Sequence, residues 1–361
     1  MDQAKGRGMQ IAGIFCTYAP LELVRAAGAV PVSLCGKRQE PIAEAEKVLP
    51  ASLCPLIKSS YGYAATRTCP FYNASDMVIG ETTCDGKKKM FEILKNMKPF
   101  FLLQLPYAQD DPGAFKFWMD QVFQFKSFLE SRTGQGIHED VLQEQIVLQN
   151  KQRRLLREIL DLNARGPALV TGMDMLPVME SASFVVDLGR HIQALEDLRQ
   201  EMIRLREQGD AHQDQPRRIL ITGCPLGKGS EKVLRIIEDS GAVVVGMENC
   251  TGIKSFDLLV KESGNPFENV ARRYLETPCS CMTPNEKRFD LVGRLARELK
   301  ADGIVDMTWQ FCHTYNVETH FLQQISRKDP GLPCLHIETD YTDNDTEQIR
   351  TRVEAFMEML S

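Results

Sequence analysis

Apolar residues fall along this chain in short, separated blocks, and their spacing changes twice. Met9–Phe15 is a compact apolar run, and Val30–Leu34 is rich in β-branched residues. Between them, Leu21–Ala27 carries a helical spacing closed by Gly28. Short β-branched runs predict strands, and a glycine just past the last periodic position predicts a helix end. Asp76–Gly80 and Pro99–Leu105 predict two further strands, with a helix over Lys87–Asn96 between them. Strands alternating with helices predict an open, mainly parallel sheet covered on both faces.

From Ala114 to about Gln208 the strand signal fades. Leu142, Ile146, Leu156 and Ile159 stand at mostly helical spacings among charged and amide residues, so helices are expected. Thr171–Ser183 reads as an irregular connection, and the polar stretch Gln208–Pro216 as a linker. The alternation then resumes. Arg218–Gly223 predicts a strand and turn, Lys232–Asp239 a helix, and Ala242–Gly246, Gly303–Met307 and Leu335–Glu338 strands. An amphipathic helix over Thr346–Leu360 closes the chain. The pattern predicts an α/β fold in three parts: an N-terminal α/β domain over 1–112, a helical region over 113–212 and a C-terminal α/β domain over 213–361. A chain of 361 residues has room for two or three such units.

Composition narrows the function classes. The chain is 43% apolar and 25% charged, and no apolar run approaches a membrane span. The first ten residues lack the apolar core of a secretory signal, so a cytoplasmic protein is expected. A net charge of -6 argues against a nucleic-acid surface. Eleven cysteines are the anomaly. A reducing compartment makes a disulfide framework improbable, which raises metal, redox and catalytic roles.

The cysteines are also placed unevenly. Cys16, Cys84, Cys224, Cys250 and Cys312 each follow a predicted strand, where open parallel sheets bind ligands. Cys54, Cys69 and Cys84 are evenly spaced, Cys279-Ser280-Cys281 forms a C-x-C pair, and no C-x-x-C occurs. Zinc ribbons and thioredoxin-like motifs therefore lack support. Soft thiolates from scattered loops suit an iron–sulfur cluster, while buried structural thiols explain the same count. Cys35 and Cys334 read as packing residues. The stretch Gly223–Ser230 has the wrong spacing and order for a nucleotide phosphate loop, so no bound nucleotide is expected.

Three blocks carry a resemblance. They are Cys16-Thr17-Tyr18-Ala19-Pro20-Leu21-Glu22-Leu23, Leu53-Cys54-Pro55-Leu56-Ile57-Lys58-Ser59-Ser60-Tyr61-Gly62, and Gly80-Glu81-Thr82-Thr83-Cys84-Asp85-Gly86-Lys87-Lys88-Lys89-Met90. With Glu248-Asn249-Cys250-Thr251-Gly252, Cys312-His313-Thr314-Tyr315 and Ile337-Glu338-Thr339-Asp340-Tyr341, the chain resembles the 2-hydroxyacyl-CoA dehydratase D-component and benzoyl-CoA reductase family. The likeness looks closest to the double-cubane-cluster protein branch.

The resemblance implies two Rossmann-like, doubly wound domains with a helical middle region and an iron–sulfur cluster between them. Cys54, Cys84 and Cys312 stand where relatives hold a single [4Fe-4S] cubane. A double-cubane [8Fe-9S] cluster calls for about six thiolates. Cys16 and Cys250, with one or both of Cys279 and Cys281, are the implied additions, and Cys69 and Cys224 are reserves. The implied partners are an activator-type iron–sulfur ATPase, a second copy in a homodimer and a small-molecule substrate, with no nucleic acid and no membrane. The implied activity is ATP-dependent reduction through the partner. The alternatives are a dehydratase subunit with one [4Fe-4S] cluster and an electron carrier without its own substrate. Glu81, His313 and Glu338 are the polar residues expected near the cluster, with Glu81 and His313 as candidate catalytic groups. Lys58 and Lys87–Lys89 read as a solvated face.

Overall fold

The computed structural model describes residues 1–209 and 216–360. Most of the expected linker lies outside the described residues. The described chain builds two four-stranded sheets, all of whose strands run parallel. The first contains β1 (Ile11–Ile14), β2 (Val30–Ser33), β3 (Met77–Glu81) and β4 (Phe100–Leu103), in the order β2-β1-β3-β4. The second contains β5 (Arg217–Gly223), β6 (Ala242–Glu248), β7 (Gly303–Trp309) and β8 (Cys334–Thr339), in the order β6-β5-β7-β8. Each sheet starts on an inner strand, steps to one edge and crosses back. The strand order therefore reverses between β1 and β3, and again between β5 and β7. Such reversals open a crevice at the carboxyl ends of the inner strands.

β1, β3 and β7 are buried along their length and β5 from Ile219 onward, as expected for parallel strands covered on both faces. The expected strands all appear, within a few residues of their predicted bounds. The helical middle appears as Ala114–Thr133, Glu139–Ala164, Gly172–Ser181 and Leu188–Gln208. The Glu139–Ala164 helix packs on the Leu21–Ala26, Leu188–Gln208 and Pro266–Leu275 helices, and so ties the two halves together.

One expectation fails. Thr171–Ser183 is mostly helical rather than irregular. Thr171 and Asp174 form a reciprocal capping box, and Met175, Leu176 and Met179 are buried despite Pro177 within the helix. The cap and the buried face outweigh the single hydrogen bond that the proline removes. The helices Pro55–Thr66, Pro266–Leu275, Glu286–Glu298 and His313–Lys328 add to the expected set. Among the described residues, no helix is long and apolar enough to cross a membrane.

Candidate functional site

The carboxyl ends of both sheets face one cavity of about 650 Å³. All eleven cysteines are free, and nine of them line this cavity. Local geometry explains several placements. Cys224 follows Gly223, whose φ of +107° and close approach to the Met307 carbonyl, 2.2 Å from where a Cβ would stand, leave no room for a side chain. Cys54, Cys84 and Cys312 are the N-cap residues of the Pro55–Thr66, Asp85–Leu94 and His313–Lys328 helices. A helix N-terminus favours negative charge, but burial raises the Cys84 thiol and the bond to Cys312 raises Cys54, so that of the three only Cys312 is lowered. Phe311, just before Cys312, holds a left-handed φ of 62° at the cavity wall.

The thiols form two groups. In the first, Cys54 and Cys224 both hydrogen-bond to Cys312. In the second, Cys250 bonds to Cys16 and Cys279, and Cys281 bonds to Cys279. The Cys281 sulfur also reaches the Tyr18 hydroxyl at 3.7 Å. Cys84 interacts with a member of each group, Cys312 and Cys279, and its sulfur accepts the Lys87 backbone N–H at 3.5 Å. Acceptors and donors separate in acidity. The Cys224 and Cys54 bonds hold Cys312 well below the ordinary thiol range. Bonds from Cys250 and Cys281 do the same for Cys279, and the Cys250 bond lowers Cys16 to about 6. The donors Cys54 and Cys250 are pushed up, chiefly by those same bonds. Cys35 lines the cavity with its thiol on the Phe15 carbonyl, and burial raises its pKa.

Other expected residues divide. His313 lines the cavity and is exposed. Glu81 is fully buried beside Cys16 and Lys87, and the backbone N–H groups of Cys16 and Ala19 act on its carboxylate. Burial and then the Cys16 thiolate hold its carboxyl well above the usual range. Glu338 is exposed and pairs with Asn316, outside the cavity wall. The solvated-face expectation holds for Lys88 and Lys89 but fails at two positions. Lys58 is buried and bonds Glu46 and the Ala51 carbonyl, because its helix packs flat against the core. Lys87 turns inward toward Cys16, Cys35, Glu81 and Cys84, which keep it charged against the cost of burial. Cys69 caps the Pro70–Ala74 helix, and Cys334 begins β8; neither lines the cavity.

Sequence reading did not find the charge network behind the second thiol group. Arg288 is fully buried among Glu248, Asp306 and Glu318, at 3.5, 3.6 and 2.7 Å. Lys254 pairs with Glu248 at 2.9 Å and donates to the Tyr315 hydroxyl at 3.1 Å. Its charge also acts on Cys250 and Cys279. The legible signal was a carboxylate inside or ending an otherwise apolar strand, at Glu248 and Asp306.

Among the described residues, no three His, Cys, Asp or Glu side chains converge on one metal-ion position. A cubane spreads its irons over several corners, so its thiolates need not converge on a point. The grouped thiols, the inward Lys87 and the large cavity fit a polynuclear soft-ligand cluster better than a single ion.

Comparison with known proteins places the chain in a family. The family described as 2-hydroxyglutaryl-CoA dehydratase, D-component, matches residues 16–360. YjiM of Escherichia coli (strain K12), which carries a provisional dehydratase-subunit name, is 43% identical over 356 residues, covering 99% of this chain and 93% of its own. The (R)-phenyllactyl-CoA dehydratase beta subunit of Clostridium sporogenes is 25% identical, covering 100% of this chain and 94% of its own. A benzoyl-CoA reductase subunit of Thauera aromatica is 21% identical, covering 82% of this chain and 76% of its own. The cysteine-lined cavity between two parallel sheets thus sits in a chain that belongs to the 2-hydroxyglutaryl-CoA dehydratase D-component family of enzymes.

Proposed function

We propose that this chain is an iron–sulfur reductase component that holds a double-cubane [8Fe-9S] cluster and reduces small molecules. A separate ATP-dependent activator supplies the electron. The observation that carries this reading is the pair of thiol groups on one cavity. A single cubane would use one group and leave the other idle. In this proposal Cys54, Cys84 and Cys312 hold one cubane, with Cys224 beside Cys312. Cys16, Cys250 and Cys279 hold the other, with Cys281 beside Cys279. When bound, such a cluster supplies one-electron chemistry at low potential.

The chain's own residues then have separate tasks. Lys87 offsets thiolate charge from the first sheet, and Lys254 from the second. The Trp309 backbone N–H donates to the Cys224 sulfur at 3.4 Å, and such bonds tune a cluster's potential. Leu53, Leu56 and Ile57 form an apolar wall that limits water. His313 at the wall and Glu81 behind Cys16 are the proposed proton-handling residues. The chain works as a homodimer and binds no nucleotide itself in this reading.

A second reading follows from the dehydratase relatives: a dehydratase subunit with a single [4Fe-4S] cluster. The test of the first is turnover. The purified protein, an activator-type iron–sulfur ATPase, ATP and a strong reductant should together reduce a small acceptor. Equal reduction without ATP or without the ATPase would contradict the proposal.

A further inference from the structure

Among the described residues, three other than glycine hold a left-handed backbone: Arg67 at φ 55°, Lys300 at 52° and Phe311 at 62°. Two of them end helices. Arg67 is the C-cap of the Pro55–Thr66 helix. Lys300 follows the Glu286–Glu298 helix, with its N–H on the Arg297 carbonyl at 3.1 Å. Left-handed residues are ordinary at helix ends.

Phe311 has no such place. It is the third residue of a turn between β7 and the His313–Lys328 helix, closed by the Cys312 N–H on the Trp309 carbonyl at 3.0 Å. A positive φ at that position selects glycine or asparagine, and a bulky residue there is strained. Packing does not offset the strain. Phe311 is 43% exposed and joins no core cluster among the described residues. A lone exposed phenylalanine is ordinary on a protein surface. One that strains its own turn is not, and strain of this kind collects at functional sites.

The position of the residue supplies a reason. Phe311 lines the cavity and also meets solvent, so it stands at the mouth. The next residue, Cys312, is the hub of the first thiol group and takes bonds from both Cys54 and Cys224. The same tight turn therefore fixes the aromatic residue and the hub thiol together.

We propose that Phe311 is the lip of the cavity: the strained turn holds its ring at the mouth, where it keeps solvent from the Cys312 sulfur. This deepens the reading of the cavity as a cluster chamber and rests on it. Apolar cover over a ligand limits water around it, and solvent access helps set the potential of a bound cluster. Glycine or asparagine would satisfy the turn and leave that sulfur open. Phe311 is thus a positioning residue, acting through Cys312.

The test is the rate at which iodoacetamide alkylates Cys312 on the full chain, stripped of iron under anaerobic conditions and read by peptide mass spectrometry. Phe311→Gly and Phe311→Asn should raise that rate by about tenfold, and Phe311→Leu should keep it near the parent's. Val317→Ala should change nothing, because Val317 is exposed on the same helix but off the cavity wall. The urea midpoints of Phe311→Gly and Phe311→Asn should be no lower than the parent's, since both residues suit the turn. Unchanged alkylation in these two variants would overturn the inference. So would a lower midpoint or a failure to fold, which would make the ring a packing residue. Iron loss to a chelator from the anaerobically purified chain should also be faster in Phe311→Gly, and it separates the two readings. Equal loss from the parent and Phe311→Gly contradicts the lip alone. A chain that binds no iron, yet shows the alkylation difference, contradicts the cluster alone.

Discussion

The two sheets share a strand order but handle charge in opposite ways. Cys16 and Cys224 follow β1 and β5, Cys35 and Cys250 follow β2 and β6, and Cys84 and Cys312 follow β3 and β7. Each half therefore presents thiols at equivalent strand ends. Behind the second set stands a buried network in which Arg288 and Lys254 face Glu248, Asp306 and Glu318. Behind the first set stand Lys87 and Glu81, whose carboxylate meets only backbone N–H groups of Cys16 and Ala19 and forms no ion pair among the described residues. The same topology thus supplies a braced wall on one side and a sparsely bonded one on the other. Paired charges fix the geometry of the second wall, while the first depends on packing and on Lys87.

The largest break in this comparison should come from Arg288→Met. It leaves three carboxylates without their shared cation, and removing one partner of a buried ion network costs about 3–5 kcal/mol. Urea denaturation should show that loss, and a change below about 1 kcal/mol would mean the network braces nothing. A smaller but sharper effect concerns the thiols. Cys312→Ala, which removes the acceptor of the first group, should lose much of the bound iron while the far-ultraviolet circular dichroism stays native. Cys334→Ala should keep its iron, because that thiol lies outside the cavity wall. Equal iron in the two variants would contradict the ligand assignment. The smallest effect belongs to the first wall. Glu81→Gln keeps an amide oxygen to accept from the Cys16 and Ala19 backbone N–H groups, so its stability should stay within about 1 kcal/mol of the parent. A loss as large as that of Arg288→Met would show that the two walls are braced alike.

Much of this architecture is legible in the sequence. Val30–Ser33 and Ala242–Glu248 are β-branched runs that period and composition identify as strands, and their order along the chain predicts parallel pairing. The clustering of thiols at strand ends is legible for the same reason. What escapes is whatever tertiary burial decides. Pro55–Thr66 is buried on nearly all sides, so it shows no amphipathic period and goes unpredicted. Lys58 and Lys87 look like solvated lysines until the fold turns them inward. Cys224 ranks as a reserve in the sequence because the motifs do not decide which further thiols join the set. Only the crossing of β5 and β7 brings it to Cys312. Arg288 lies on a helix far along the chain from Glu248, and nothing local announces their contact.

The central claim is that both thiol groups hold iron together. Iron and acid-labile sulfide should be counted per chain on protein purified under strict anaerobiosis. About eight irons per chain, with sulfide in slight excess, is the predicted result. About four irons would leave one group idle and favour the single-cubane reading, and an iron-free chain would contradict the account of this cavity.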